Sequence, residues 1–141
     1  MGQLGKQKNQ AKLIKAFKEV KKEVKNVKLV ILGKGPLENT LKDVSKKLGL
    51  ENDICFFGWQ KNPFKFVSNA KVFVLSSLWE GLPCSLLEAM VCAVPVVSLD
   101  CSSGPREILA PDTDFAEKTQ SVEYAKFGVL VKPKDEKMLA K

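Results

Sequence analysis

Apolar positions along the chain change their period several times, and each change marks a predicted element. After Lys8, Leu13, Ile14, Phe17, Val20 and Val24 recur at helical spacing, with Lys12, Lys15, Lys18, Lys22 and Lys25 between them. This predicts an amphipathic helix with a lysine-rich, solvated face. "KLVIL" at 28–32 is a continuous apolar run of strand length, ended by Gly33 and Gly35-Pro36, and helical spacing resumes from Leu37 in "LENTLKDVSKKLGL". The alternation continues with a strand "ICFF" at 54–57, a short helix over 63–69 and a strand "KVFVLS" at 71–76. A helix from Pro83 to Cys92 and a strand "VPVVSL" at 94–99 follow. "GPREIL" reads as a further helix, Pro111 to Ala125 as an irregular polar stretch, and "GVLV" at 128–131 as the last strand. Apolar strands without polar alternation, separated by helices, predict an α/β fold, a Rossmann-like parallel sheet with helices on both faces.

A chain of 141 residues is long enough for one packed core and too short for two full lobes. It opens on a glycine turn that leads straight into a helix, where a doubly wound fold places a strand. It stops inside what reads as another helix starting near Asp135. The expectation is one unit, residues 1–141, incomplete at both ends and part of a larger protein.

Charge narrows the partners. The chain carries 23 Lys and Arg against 16 Asp and Glu, a net +7, and the stretch from Lys6 to Lys34 holds ten lysines against Glu19 and Glu23. A basic front favours anionic partners: nucleic acid, an acidic membrane face or a phosphorylated small molecule. Nucleic acid fits poorly, because no aromatic residues are interleaved with the lysines as a stacking platform needs. Cys55, Cys84, Cys92 and Cys101 form no CxxC pair and the chain has no histidine, so zinc-site spacings are absent. Most of the cysteines read as small buried hydrophobes in a reducing compartment. No charged-then-apolar leader opens the chain, and no apolar run approaches the ~20 residues that span a bilayer. The expected location is cytoplasmic, with peripheral contact at the acidic inner face of a membrane.

Candidate chemistry concentrates in "SSLWEGLPCSLLEAM", residues 76–90. In parallel sheets, ligands gather at the carboxyl ends of strands, where helix N-termini hold phosphate. Glu80 follows such a strand end, Gly81 leaves the backbone open to close approach, and Pro83 suits the first helical position. Glu88 reaches the same crevice if its side chain points back toward the helix start. Two plainer roles compete: Glu80 as an exposed loop carboxylate, and Glu88 as the acid of a capping box in "SLLE", favoured by the helix dipole. "DTD" at 112–114 copies a metal-binding Asp-x-Asp but sits in a proline-led loop, and "LGKGP" lacks the third glycine of a dinucleotide fingerprint.

"EGLPCSLLE" resembles the E-x7-E signature of the retaining glycosyltransferases of family 4. "LGKQKNQAKLIKAF", "LVILGKGPLENTL", "ICFFGWQKNPFKFVSNAKVFVLSS", "AVPVVSLDCSSGPREIL" and "GVLVKP" resemble, in order, the blocks of that family's C-terminal lobe. The resemblance implies one lobe of a glycosyltransferase-B fold that binds a nucleotide-sugar. The implied reaction is hexosyl transfer to an acceptor hydroxyl with retention, without metal or other cofactor. It implies that Glu80 contacts donor sugar hydroxyls, that Glu88 accepts from the ribose hydroxyls, and that Lys8 neutralises the donor diphosphate. Main chain at Gly81, Leu82 and Cys84 would line the sugar-phosphate pocket, and backbone near Gly58 and Trp59 would edge the base. Without the resemblance, Lys8 is a solvated lysine and Trp59 a cover for the sheet edge.

The family reads Gly-Arg-Leu where this chain has Gly2-Gln3-Leu4. Gln3 donates hydrogen bonds but brings no charge, which leaves Lys6 or Arg106 as the substitute second cation. "SGPREIL" around Arg106 resembles enzymes that build bacterial surface glycans from UDP-sugars, although an arginine there also serves simply to begin a helix. The acceptor, a glycan or lipid-linked molecule, is expected to bind an N-terminal lobe. A second reading, pointed to by Gln3, is a non-catalytic sugar-nucleotide-binding or interaction module.

Overall fold

The computed structural model describes residues 1–133 and 138–140. Helices and strands alternate as α1 (Gln10–Glu23), β1 (Leu29–Leu32), α2 (Glu38–Lys47), β2 (Ile54–Gly58), α3 (Phe64–Val67), β3 (Phe73–Leu75), α4 (Cys84–Val91), β4 (Val96–Leu99), α5 (Pro105–Leu109), β5 (Val122–Ala125) and β6 (Gly128–Val131). Single 3-10 turns lie at Lys6–Lys8 and Met138–Ala140. The helix expected to start near Asp135 falls outside the described residues.

The α/β architecture is as expected, with two corrections. The strands form two sheets, β1-β2 and β3-β4-β6-β5, instead of one continuous sheet. All neighbours are parallel except β5 and β6, which pair antiparallel with Val122 opposite Val131 and Tyr124 opposite Val129. β5 lies in the stretch expected to be irregular. It is an edge strand whose Tyr124 is 87% exposed, so its side chains give little apolar signal.

Side-chain alternation explains how the four-stranded sheet is covered on both faces. Phe73, Leu75, Val96 and Leu130 face Leu86 and Ala89 of α4 and Leu109 of α5. Val74, Val97, Leu99, Val129 and Val131 face the other way, toward Ala16 of α1 and Leu139. Leu86, Leu109 and Leu130 are fully buried, and truncating any one to alanine costs about 2–5 kcal/mol. A separate cluster gathers Ile14 and Phe17 of α1 with Ile31, Leu41 and Ile54 around β1 and β2. α1 therefore bridges both sheets. Its polar face departs from expectation at two positions. Lys12 is buried, and Val24 is 50% exposed because the helix ends at Glu23 and Val24 is already extended.

Candidate functional site

The N-terminal segment is laid into the turn that follows β1. Gly2 N donates to Leu32 O at 2.9 Å, Leu4 N to Lys34 O at 3.0 Å, and Leu37 N to Leu4 O at 3.1 Å. This approach requires both glycines of "LGKGP". A Cβ at Gly33 would stand 1.8 Å from Gly2 O, one at Gly35 would stand 2.3 Å from Leu4 O, and Gly33 has φ +129°. The motif is thus a strand-to-helix turn that also cradles another stretch of backbone.

Beyond that cradle, side chains fasten the 3-10 turn carrying Lys8 to the segment after β3. Ser76 Oγ donates to Lys8 O at 2.8 Å, Leu78 N to Gln7 O at 2.8 Å, and Gln7 Nε2 to Trp79 O at 2.9 Å. Gln10 Nε2 holds Gln3 O at 2.9 Å. None of these tethers has a recognisable pattern in the sequence, because each ends on a backbone carbonyl, which any residue carries.

The result is a cleft of about 550 Å³, lined among others by Gln3, Lys8, Trp59, Leu82, Cys84 and Glu88. Lys8 Nζ donates to Glu80 Oε1 at 2.6 Å, with the Lys8 side chain 21% and the Glu80 side chain 6% exposed. A carboxylate so far withdrawn from water needs such a partner. Glu80 is therefore a buried, paired acid and not an exposed loop carboxylate. Ser103 Oγ donates to Glu80 O, which ties the loop after β4 to the loop carrying the acid. Glu88, half-buried on α4, presents its side chain to the same cleft. The amino group of Met1, also at the cleft, is pushed down to about 6 by burial and by Lys8, against the opposing pull of Glu88.

Gly58 and Gly81 are not among the residues that line the cleft. Gly58, with φ +65°, accepts from Gly33 N at 2.7 Å. The carbonyl of Gly81 lies against Gly104, where a Cβ would come within 2.5 Å of it. Lys34, Gln60 and Pro63 also line the cleft and were not singled out by sequence, since nothing in their local pattern separates them from ordinary loop residues.

The capping-box reading of Ser85 and Glu88 does not hold. α4 begins at Cys84 with Pro83 as its cap residue and no side-chain cap bond, so Ser85 lies inside the helix instead of before it. Among the described residues its Oγ is buried without a hydrogen-bond partner, at the cleft wall.

Arg106 is neither a surface residue nor a lining cation. Its guanidinium, 4% exposed, meets Asp100 Oδ2 and Glu123 Oε2 at 2.7 Å each from Nη2, and Thr113 Oγ1 at 3.1 Å from Nη1. Asp100 is fully buried and also accepts from Thr119 N at 2.8 Å. The hydrogen bonds to Glu123 first and Asp100 second raise the Arg106 pKa. The buried carboxylate draws the arginine inward and away from the cleft, and the exposed Lys6 does not line it either. Asp112 pairs with Lys126 of the β5–β6 turn at 2.8 Å and Asp114 Oδ1 accepts from Ala116 N at 2.8 Å, so both acids of "DTD" meet protein partners. Among the described residues no group of three or more His, Cys, Asp or Glu could hold a metal ion.

Comparison with known proteins places this geometry. The chain is 47% identical over 133 residues to an uncharacterized glycosyltransferase of Methanocaldococcus jannaschii, covering 94% of this chain and 33% of that protein. It is 38% identical over 112 residues to the N-acetylgalactosamine-N,N'-diacetylbacillosaminyl-diphospho-undecaprenol 4-alpha-N-acetylgalactosaminyltransferase of Campylobacter jejuni, covering 79% and 30%. The chain thus spans about a third of the length of these relatives. A point mutant of S. aureus TarM, crystallised with fondaparinux, alpha-GlcNAc-glycerol and UDP, matches with TM-score 0.82 and 25% identity over 99% of this chain and 26% of that one. Anabaena HepE in complex with UDP shares the fold with TM-score 0.79 at 24% identity, over 99% of this chain and 36% of that one. The family described as Glycosyl transferases group 1 matches residues 1–141, and the chain belongs to it.

Proposed function

We propose that this chain is the donor-binding, C-terminal lobe of a family 4-like retaining glycosyltransferase. The whole protein would move a hexosyl unit from a nucleotide diphosphate sugar, UDP-linked, to an acceptor hydroxyl in surface glycan synthesis. The observation that carries the reading is the cleft lined by Lys8 and Glu88, with Glu80, itself not a lining residue, bound to Lys8. A cation facing a strand-end crevice suits a diphosphate, and a carboxylate that accepts from two vicinal hydroxyls suits a sugar or ribose. Related chains that carry UDP in their crystal structures support the choice of base. The Campylobacter relative, named for transfer onto a diphospho-undecaprenol-linked saccharide, supports a glycan or lipid-linked acceptor.

In this reading Lys8 moves from Glu80 toward the diphosphate as negative charge builds on the leaving group, so its interaction strengthens in the transition state. Glu80 then takes donor sugar hydroxyls and Glu88 the ribose diol. Ser85 Oγ, buried without a protein partner among the described residues, offers a donor to the phosphates. Leu82 and Cys84 shape the sugar-phosphate wall with Gly81 behind them, and Trp59 edges the base in front of Gly58. No residue in this scheme calls for a metal. The acceptor wall belongs to the remaining part of a protein of the relatives' length, and the isolated chain binds donor weakly and turns it over little. The lysine face of α1, where Lys15, Lys18 and Lys22 are exposed, with the exposed Lys25 just past its end, suits peripheral contact with an acidic cytoplasmic membrane face. No helix among the described residues is long and apolar enough to cross a membrane.

Gln3 favours a second reading, a non-catalytic sugar-nucleotide-binding or interaction module. It lines the cleft without charge, and neither Lys6 nor Arg106 lines it, so the cation beside Lys8 at the lining is Lys34. Transfer assays on a protein of the relatives' length with Glu80→Ala, Glu88→Ala and Gln3→Arg separate the two. A transferase loses activity in the first two and gains in the third, whereas a binding module shows no activity for any of them to change.

A further inference from the structure

The charges at the cleft do not balance for a diphosphate held by Lys8 alone. Lys8 is bound to Glu80 at 2.6 Å, and the carboxylate of Glu88 lines the same cleft, so two acids face one cation where a strongly anionic group has to sit. A partly enclosed crevice screens such an excess less than open water does, and a further cation is needed to offset it. Among the described residues that line the cleft, Lys34 is the other basic side chain. It is exposed, and among the described residues its ammonium makes no ion pair.

Backbone geometry accounts for its position. Gly33 and Gly35 have no room for side chains, since a Cβ would stand 1.8 Å from Gly2 O in the first case and 2.3 Å from Leu4 O in the second. Lys34, between them, is the residue of this turn that can carry a functional group to the cleft. Gly2 N donates to Leu32 O and Leu4 N to Lys34 O, the parallel pattern in which a donor stands beside the residue after its acceptor. Phe73, which donates to Pro95 O, stands beside Val96 in the same way. Gly2 thus stands beside Gly33, and Gln3 beside Lys34, and the side chains of Gln3 and Lys34 both line the cleft. Lys34 Cε also lies 3.4 Å from where a Cβ of Gly58 would stand, which sets it toward the Gly58–Trp59 edge, whereas Lys8 is tied to Glu80. We propose that Lys34 is the second cation of the donor site: its ammonium binds the phosphate next to the nucleoside, and Lys8 the phosphate next to the sugar. This assignment rests on the donor-binding reading above. It also takes away the weight of Gln3 in favour of a non-catalytic module, because the charge absent at position 3 comes from the residue beside it.

The test titrates the chain with UDP, UMP and uridine at low ionic strength, followed by NMR so that weak binding is measured and each variant is seen to be folded. Lys34→Met, Lys8→Met and the double variant Lys34→Met with Gln3→Arg are compared with the wild type. Lys46→Met serves as the control for losing one exposed charge, since Lys46 lies on α2 and does not line the cleft. Lys34→Met should weaken UDP and UMP alike, by about fivefold or more, and leave uridine unchanged. Lys8→Met should weaken UDP more than UMP. Adding Gln3→Arg to Lys34→Met should restore most of the UDP affinity, because the new guanidinium starts from the position beside the lost ammonium; a lysine that only shaped its turn would not be rescued in this way. The proposal is overturned if Lys34→Met loses no more UDP affinity than Lys46→Met, if uridine weakens as much as UDP, or if Gln3→Arg restores nothing. A loss in Lys8→Met with none in Lys34→Met would sink this assignment alone. A wild-type chain that binds no UDP at millimolar concentration would sink the donor-binding reading and the assignment with it.

Discussion

Lys8 Nζ lies 2.6 Å from Glu80 Oε1, although 72 residues separate the two in the chain. The pair holds a cation and an acid together at the end of β3 before any ligand arrives, so an incoming diphosphate competes with Glu80 for Lys8. Lys8→Met removes a charge-assisted hydrogen bond of about 1.5–3 kcal/mol, and UDP affinity should fall about tenfold or more. Glu80→Gln removes the competitor, so UDP should bind no worse, while the preference for a UDP-sugar over UDP shrinks. Calorimetric titration of both variants with both ligands checks this.

Glu88 should read the ribose. The wild-type chain is expected to bind UDP about tenfold more tightly than 2'-deoxy-UDP, the size of one charge-assisted hydrogen bond. In Glu88→Ala the two ligands should bind alike. A Glu88→Ala variant that kept the preference would remove Glu88 from the site.

The knot around Arg106 separates structure from binding. Arg106→Met takes from the fully buried Asp100 its 2.7 Å ion-pair partner, leaving the longer contact to Lys118 at 3.5 Å, and should cost about 3–5 kcal/mol, measured by urea denaturation. Pairing Arg106→Met with Asp100→Leu should return much of that loss. At a temperature where the single variant stays folded, its UDP affinity should match the wild type, because the guanidinium does not face the cleft.

Asp53 gives the acid limb of stability. Its pKa is held below the ordinary 3.8 chiefly by the hydrogen bond from Lys21, against the opposing effect of burial, and further by Lys28. A carboxyl depressed in the folded state adds stability above its unfolded pKa and loses it as pH falls through the folded value. Asp53→Asn should therefore flatten the pH dependence of the unfolding midpoint below about pH 4 and leave the alkaline side unchanged.

Much of this was legible in the sequence where the signal is local. Apolar runs placed β1 to β4 and β6, and helical spacing placed α1, because burial on two faces or one writes directly into residue type. Glu80 was singled out from its position after a strand, and Glu88 from its place in the first turns of the helix that follows. What could not be read depends on contacts far apart in sequence. The cradle of Gly33 and Gly35 around residues 2–4 looks like an ordinary turn until the backbone of Gly2 is laid against it. Arg106 does stand in the first turn of α5, but its ion pairs were not legible because Asp100, just past β4, and Glu123, on β5, meet it only in the fold. β5 was missed because an exposed edge strand carries polar residues. The division into two sheets has no local signature, since it reflects which strand edges meet.

The most direct test of the donor-binding cleft is an NMR titration of the isotope-labelled chain with UDP. Shifts concentrated at Gly2, Gln3, Lys8, Gly33, Cys84, Ser85 and the indole of Trp59 are the predicted result. Shifts confined to the lysine face of α1, at Lys15, Lys18 and Lys22, or none at millimolar UDP, would contradict it.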